Sequence, residues 1–195
     1  TAADVKALRE KTGAGMMDCK HALVEAGGDL DKAVTILREK GIAAASKKSS
    51  REAKEGVIHT YIHPGSRIAT MVELNCETDF VARNDMFQSL ARDIAMQVAA
   101  TKPQAVGREQ MSQGLVDEES EIYRNQAKNE GKPDDIIDRI IQGRIEKFYQ
   151  ENCLLEQPFI RDTDKTVKDL ITDAVGTLGE NIQIRRFIRY ELGGE

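Results

Sequence analysis

Asn75-Cys76-Glu77-Thr78-Asp79-Phe80-Val81-Ala82-Arg83-Asn84 stands where two hydrophobic periods meet. Upstream, Ile68, Val72 and Leu74 fall on one face of a strand-like run. Downstream, Phe87, Leu90, Ile94 and Val98 repeat at helical spacing as far as Thr101-Lys102-Pro103. A strand must therefore turn into a helix inside this stretch. Thr78 has the chemistry for the turn, because its hydroxyl can accept a hydrogen bond from a free backbone N–H two or three residues on. Asp79 then sits in the first helical turn, where a negative charge suits the helix dipole. Phe80 admits two readings. An apolar ring beside a charge at an element junction can probe a partner, or it can plug the core with Asp79 serving only the cap.

Upstream of this junction, Val57 to Ile62 is rich in β-formers, and His63-Pro64-Gly65-Ser66 places Pro and Gly where a type II turn wants them. Residues 56–74 therefore read as a hairpin. His59 and His63 share a strand face but lie too far apart to hold one metal, and read as surface or interface histidines. Downstream, 104–120 is a polar connection with little period, and a weak acidic helix follows over about 117–130. From Pro133 a stronger helix carries Ile137, Ile140, Ile141, Ile145 and Phe148 on one side, a seam for either core or a subunit interface. Glu156 to Ile160 is a short extended piece. A further helix runs from Thr166 to a stop at Gly179. The last run is a strand with Ile182, Ile184, Ile188, Tyr190 and Leu192 on one face and Arg185, Phe187 and Arg189 on the other.

Residues 1–41 read as three short helices, with Thr1 and Asp4 as a possible capping box. They are broken by Thr12-Gly13-Ala14-Gly15 and by Gly27-Gly28, and ended by Gly41. The apolar faces are Val5 and Leu8, then Met16, Cys19, Leu23 and Ala26, then Leu30, Ala33, Val34 and Leu37. Residues 42–55, with Ser46-Lys47-Lys48-Ser49-Ser50-Arg51, form a basic linker or a helix extension. The whole is α+β: a three-helix N-terminal domain, then a core of antiparallel strands packed with helices.

Several function classes drop out. A net charge of −5 argues against a protein that clamps phosphate backbones, although Arg185, Arg186 and Arg189 near Phe187 would suit an RNA-binding accessory. Gly13-x-Gly15 is followed by no third glycine and no Gly-Lys-Ser/Thr, so no phosphate loop is present. Cys19, Cys76 and Cys153 lie far apart and fit no zinc spacing, and such scattered thiols suit a reducing compartment. No apolar run has the roughly 20 residues of a membrane helix. No nucleophile elbow or His-Glu-x-x-His occurs, which favours a binding protein over an enzyme.

The Asn75–Asn84 stretch closely resembles the signature of the elongation factor Ts family, the nucleotide exchange factors for elongation factor Tu. Thr12-Gly13-Ala14-Gly15-Met16-Met17-Asp18-Cys19-Lys20 resembles that family's second signature. Leu178-Gly179-Glu180-Asn181-Ile182 with Arg185-Arg186-Phe187 is a third likeness, in the expected order. The resemblance implies a ubiquitin-associated-like module at 1–41, a linker at 42–55 and an α+β core and dimerisation domain at 56–195. It implies a guanine-nucleotide exchange factor that binds elongation factor Tu with GDP and promotes GDP release, without catalytic chemistry. Thr78, Asp79, Phe80 and Val81 would intrude near the partner's magnesium and phosphate site. The magnesium belongs to the partner, so no cofactor or metal is expected here. Met16, Met17 and Lys20 would grip the partner's GTPase domain elsewhere. Leu178 and Gly179 match another contact segment, and His63 lies in a loop resembling one that faces elongation factor Tu.

The chain has room only for the short core of this family. Two copies are therefore expected to associate, through the 133–150 stripe or the C-terminal strand, with no direct nucleic-acid or membrane partner. The alternative is a non-catalytic adaptor using the three-helix module. The setting implied is a bacterial-type cytoplasm, or the interior of a plastid or mitochondrion if a targeting segment was removed ahead of Thr1.

Overall fold

The computed structural model describes residues 1–194, with the side chain of Asp135 left aside. Its helices are α1 (Ala2–Thr12), α2 (Met16–Glu25), α3 (Leu30–Lys48), α4 (Asp79–Ala82), α5 (Asp85–Thr101), α6 (Gln113–Asn129), α7 (Asp134–Asn152) and α8 (Val167–Leu178). The strands are β1 (Glu55–Ile62), β2 (Ile68–Cys76), β3 (Pro158–Phe159), β4 (Asp162–Thr166) and β5 (Gln183–Glu191). One sheet has the order β1-β2-β5, and β3 and β4 form an antiparallel pair. The class is α+β, as the hydrophobic periods predict.

The chain divides into two compact units, and the dividing points fall within β1, β2, α5, α8 and β5. The first comprises Thr1–His59, Glu73–Arg92 and Asp169–Ile184. Its N-terminal helices start as their sequence dictates. Thr1 and Asp4 form the capping box of α1, Gly13 ends α1 at φ 69°, and Asp29 caps α3 through the Asp31 and Lys32 N–H groups. Leu8, Cys19, Ala22, Leu23 and Ala33 close the small core of these three helices. Fully burying one leucine of this kind stabilises by about 2 kcal/mol.

Gly41 does not end α3, which continues to Lys48. The reason is packing. A Cβ placed on Gly176 of α8 would lie 3.7 Å from the Gly41 Cα, so these helices meet backbone to backbone at two glycines. The basic run at 46–48 is thus helix extension rather than connector. A second close approach sets the hairpin. Gly56 (φ 146°) lies so near β2 that a Cβ there would fall 2.1 Å from the Leu74 carbonyl oxygen, which no side chain tolerates.

The second unit comprises Thr60–Val72, Asp93–Lys168 and Arg185–Glu195. Its hairpin turn is the one the sequence predicts, with the Ser66 N–H on the His63 carbonyl at 2.9 Å and Gly65 at φ 89°. Thr70 is buried and its hydroxyl donates to the Ala95 carbonyl of α5. Arg189 of β5 donates to the Ala99 carbonyl of the same helix. These bonds mark the sheet face that α5 covers. Residues 104–107, the start of the stretch read from sequence as polar connection, are instead largely buried, because Ala105 and Val106 hydrogen-bond with Asn152, Leu154 and Leu155. The acidic helix begins earlier than expected, at Gln113. The isoleucine seam of α7 is core: Ile137 and Ile141 are buried with Ala127 of α6. Arg108 fastens the far end of α7, pairing with Glu146 and Glu156 while lying 4.6 Å over the Tyr149 ring.

Candidate partner-binding site

At the end of β2 the chain goes from buried to exposed within a few residues. Asn75 and Cys76 are buried, and the Asn75 side-chain amide donates to the Glu55 carbonyl at 3.1 Å. The Cys76 thiol donates to the Thr78 carbonyl, and burial together with the nearby Glu180 charge pushes its pKa up to about 11. It is a packing thiol, not a nucleophile. Thr78 then caps α4 as expected, its hydroxyl oxygen accepting from the Val81 N–H at 3.4 Å.

Asp79 opens α4 and pairs with Arg83 one turn on, at 2.9 Å. Phe80 points outward and is 82% exposed, which overturns the core-plug reading of this ring. Val81 is half-buried and Ala82 fully buried, so the short helix is seated by one face only. The Gln88 side chain donates to the Ala82 carbonyl at 2.6 Å and closes its far end. Asn84 accepts from the Met86 N–H and begins α5 as a separate helix.

What fixes this loop comes from far along the chain. The Glu180 carboxylate accepts the Glu77 and Thr78 N–H groups, each at 3.0 Å, and the Thr78 hydroxyl at 2.6 Å. Glu77 reciprocates by accepting the Asn181 N–H at 2.7 Å, and it pairs with Arg51 at 3.5 Å. The Asn181 side-chain amide donates to the Arg51 carbonyl at 2.7 Å. Gly179, at φ 78°, ends α8 and turns the chain so that Glu180 can reach. Thr78–Val81 and Leu178–Gly179, two segments predicted separately, are thus tied together.

Met16 and Met17 are 49% and 57% exposed at the start of α2, with Lys20 exposed one turn on. No hydrogen bond or ion pair joins them to the tied segments among the described residues. His63, in the second unit, is exposed and its Nδ1 lies 3.0 Å from the Tyr61 hydroxyl. Sequence reading missed the roles of Glu77, Glu180, Asn181 and Arg51. Glu180 and Asn181 were visible only as letters of a motif, since nothing in spacing reveals a partner a hundred residues away.

A family model, Elongation factor TS, matches residues 23–194. The chain is 59% identical over 193 residues to Elongation factor Ts of Desulforamulus reducens, covering 99% of this chain and 89% of that protein. It is 61% identical over 189 residues to Elongation factor Ts of Carboxydothermus hydrogenoformans, covering 97% and 87%. Against Elongation factor Ts of Moorella thermoacetica the identity is 58% over 192 residues, covering 98% and 95%. The chain belongs to the elongation factor Ts family. This places it among translation elongation factors. As an elongation factor Ts family member, it carries the exposed Phe80 on a capped and doubly anchored turn. Among the described residues, no group of His, Cys, Asp and Glu could hold a metal ion, and no helix is long and apolar enough to cross a membrane.

Proposed function

We propose that this protein binds elongation factor Tu carrying GDP and promotes GDP release by disturbing its magnesium and phosphate site, acting in a bacterial-type cytoplasm. The observation that carries the reading is Phe80, an aromatic 82% exposed on a backbone held by hydrogen bonds on both sides. An exposed aromatic on a preorganised turn is a binding anchor, because it gains apolar contact on docking without paying to order its own loop. Thr78 to Val81 form the intruding segment, with Asp79 placed to compete for hydrogen bonds around the partner's magnesium. Leu178 and Gly179 lie in the same tied unit and share the contact. Residues 1–41 act as a docking module through Met16, Met17 and Lys20, and His63 is a further contact. No step makes or breaks a covalent bond here. Exchange follows from linkage: a protein that favours nucleotide-free elongation factor Tu weakens GDP by the factor that GDP weakens it.

The test is release of fluorescent GDP from elongation factor Tu with and without this protein. Accelerated release is expected. Unchanged release in the presence of the folded protein removes the exchange reading and puts the adaptor in its place.

The second part of the proposal is a homodimer. The α7 stripe is spent on α6, which leaves the C-terminal strand. Ile62, Met71, Ile188 and Tyr190 of the second unit are exposed, and strand alternation puts them on the face opposite the one that bonds to α5, with Leu192 exposed just past the end of β5. A second copy laid on this face would bury them. Sedimentation equilibrium at micromolar concentration should give twice the chain mass for wild type and the chain mass for Tyr190→Glu. A monomeric wild type that retains exchange activity sinks this part.

A further inference from the structure

We infer that Glu180 is the positioning residue of the proposed site: its carboxylate holds the Glu77–Thr78 backbone so that Phe80 is presented at a fixed angle. The inference rests on the exchange reading above and adds to it the residue that aims the wedge.

The geometry is specific. One carboxylate oxygen accepts both the Glu77 and Thr78 N–H groups at 3.0 Å, and the other accepts the Thr78 hydroxyl proton at 2.6 Å. A threonine hydroxyl has one proton. Because it is given to Glu180, the lone pairs of Thr78 Oγ1 are left to receive the Val81 N–H. Glu180 therefore sets the direction of the very hydroxyl that starts α4. Asp79 and Phe80 lie between the two ends of that bond, so their backbone is fixed without either side chain being engaged in the core. Phe80 has little buried surface of its own to hold it in place, being 82% exposed. Glu77, which accepts from Asn181 N–H, ties the same turn from the opposite direction and keeps Glu180 from swinging away. Glu77 is itself paired with Arg51, so its charge beside Glu180 is compensated.

Glutamine at 180 keeps much of this arrangement. Its carbonyl oxygen can accept the two N–H groups, and its amide can donate to Thr78 Oγ1, which still has a lone pair for Val81. Alanine removes all three bonds.

The test compares wild type, Glu180→Ala, Glu180→Gln, Phe80→Ala and the Phe80→Ala/Glu180→Ala double variant. Two readouts are taken: stimulated GDP release from elongation factor Tu, and amide hydrogen exchange of residues 77–82. Glu180→Ala should slow stimulated release about tenfold and deprotect the Glu77, Thr78 and Val81 amides, while thermal unfolding stays cooperative. Glu180→Gln should stay within about threefold of wild type. In the Phe80→Ala background, Glu180→Ala should change release less than about twofold, because a positioning residue has nothing left to aim.

Full activity of Glu180→Ala alongside an active wild type overturns the inference and leaves the exchange reading intact. So does an equal loss in Glu180→Gln and Glu180→Ala, or an additive double variant. If Glu180→Ala fails to fold, the Gln variant and the wild-type protection of the Glu77 and Thr78 amides decide. A wild type that leaves GDP release unchanged overturns the exchange reading and this role with it, and is recognised because Phe80→Ala then has no effect either.

Discussion

Replacing Phe80 by alanine should separate docking from folding. The ring is 82% exposed, so removing it takes almost no packing from the protein itself. Surface changes of this kind stay within about 0.5 kcal/mol, which for a chain of this size moves the melting temperature by about 1–2 °C. Docked into a partner, the same ring has most of its surface to lose. Full burial of a phenylalanine stabilises by about 1.5–3 kcal/mol, and with four-fifths of it available about 2 kcal/mol is expected. At a factor of ten for each 1.4 kcal/mol, the variant should slow stimulated GDP release about thirtyfold at subsaturating concentration. The assay is stopped-flow release of fluorescent GDP from elongation factor Tu over a concentration series, with thermal unfolding measured on the same samples. Release within about twofold of wild type would refute the wedge. So would a melting temperature lowered by more than about 5 °C, since the ring would then be propping the fold.

Other regions give sharper structural tests. Cys19, Cys76 and Cys153 are all buried, and burial pushes Cys76 and Cys153 up to about 11. At pH 8 each of these two should carry about a hundredfold less thiolate than an ordinary thiol, so iodoacetamide should label the native protein slowly and the denatured protein at once. Arg108→Met should loosen the last turns of α7 by removing the forks on Glu146 and Glu156 and the stack on Tyr149. For so exposed a network the effect is small, read as a modest fall in melting temperature that shrinks in high salt. His59 is held below the usual histidine range, first by burial and then by the Arg92 charge. The unfolded chain therefore takes up a proton before the folded one as pH falls, so stability drops below the ordinary histidine value and is unaffected above it. His59→Gln should flatten that part of a melting curve taken from about pH 7 to pH 5.

Local chemistry made the frame of this molecule legible. Thr1, Asp29 and Thr78 cap the helices their side chains suit, and Pro64-Gly65 makes the predicted turn. The stripe Phe87, Leu90, Ile94 and Val98 is buried as its period requires. What failed was long-range. Gly41 looks like a stop because glycine usually is one, and only its meeting with Gly176 shows why it sits within a helix. The 104–107 segment read as polar connection because its burial depends on backbone bonds to 152–155. At the site, the family resemblance singled out Thr78–Val81 and Leu178–Gly179, but on chemistry alone Phe80 could be read as core or probe. The ring's 82% exposure decides it, and the backbone just ahead of the ring is bonded to the distant Glu180 carboxylate.

The energetics also say what Phe80 cannot do alone. Moving a partner from nucleotide-bound to nucleotide-free by about 10⁴-fold requires about 5.5 kcal/mol of differential binding. Docked as proposed, the ring would supply about 2 kcal/mol of it. The rest has to come from contacts of another kind, and the exposed side chains of the first unit differ from Phe80 in the useful direction. Phe80 is a stiff ring on a turn bonded to Glu180, so in the proposed docking it would penalise a partner site of the wrong shape. Met16 and Met17 are flexible thioethers about half exposed at the start of α2, which would let them keep contact while a surface beneath them moves. Under the proposed function, a rigid wedge combined with an adaptable grip would favour the displaced state of the partner over its resting state, because only the wedge would discriminate between the two. It follows that Met16→Ala and Met17→Ala should weaken binding to nucleotide-bound and nucleotide-free elongation factor Tu by similar factors, whereas Phe80→Ala should weaken binding to the nucleotide-free form alone. Equal losses from all three substitutions in both nucleotide states would contradict that division of labour.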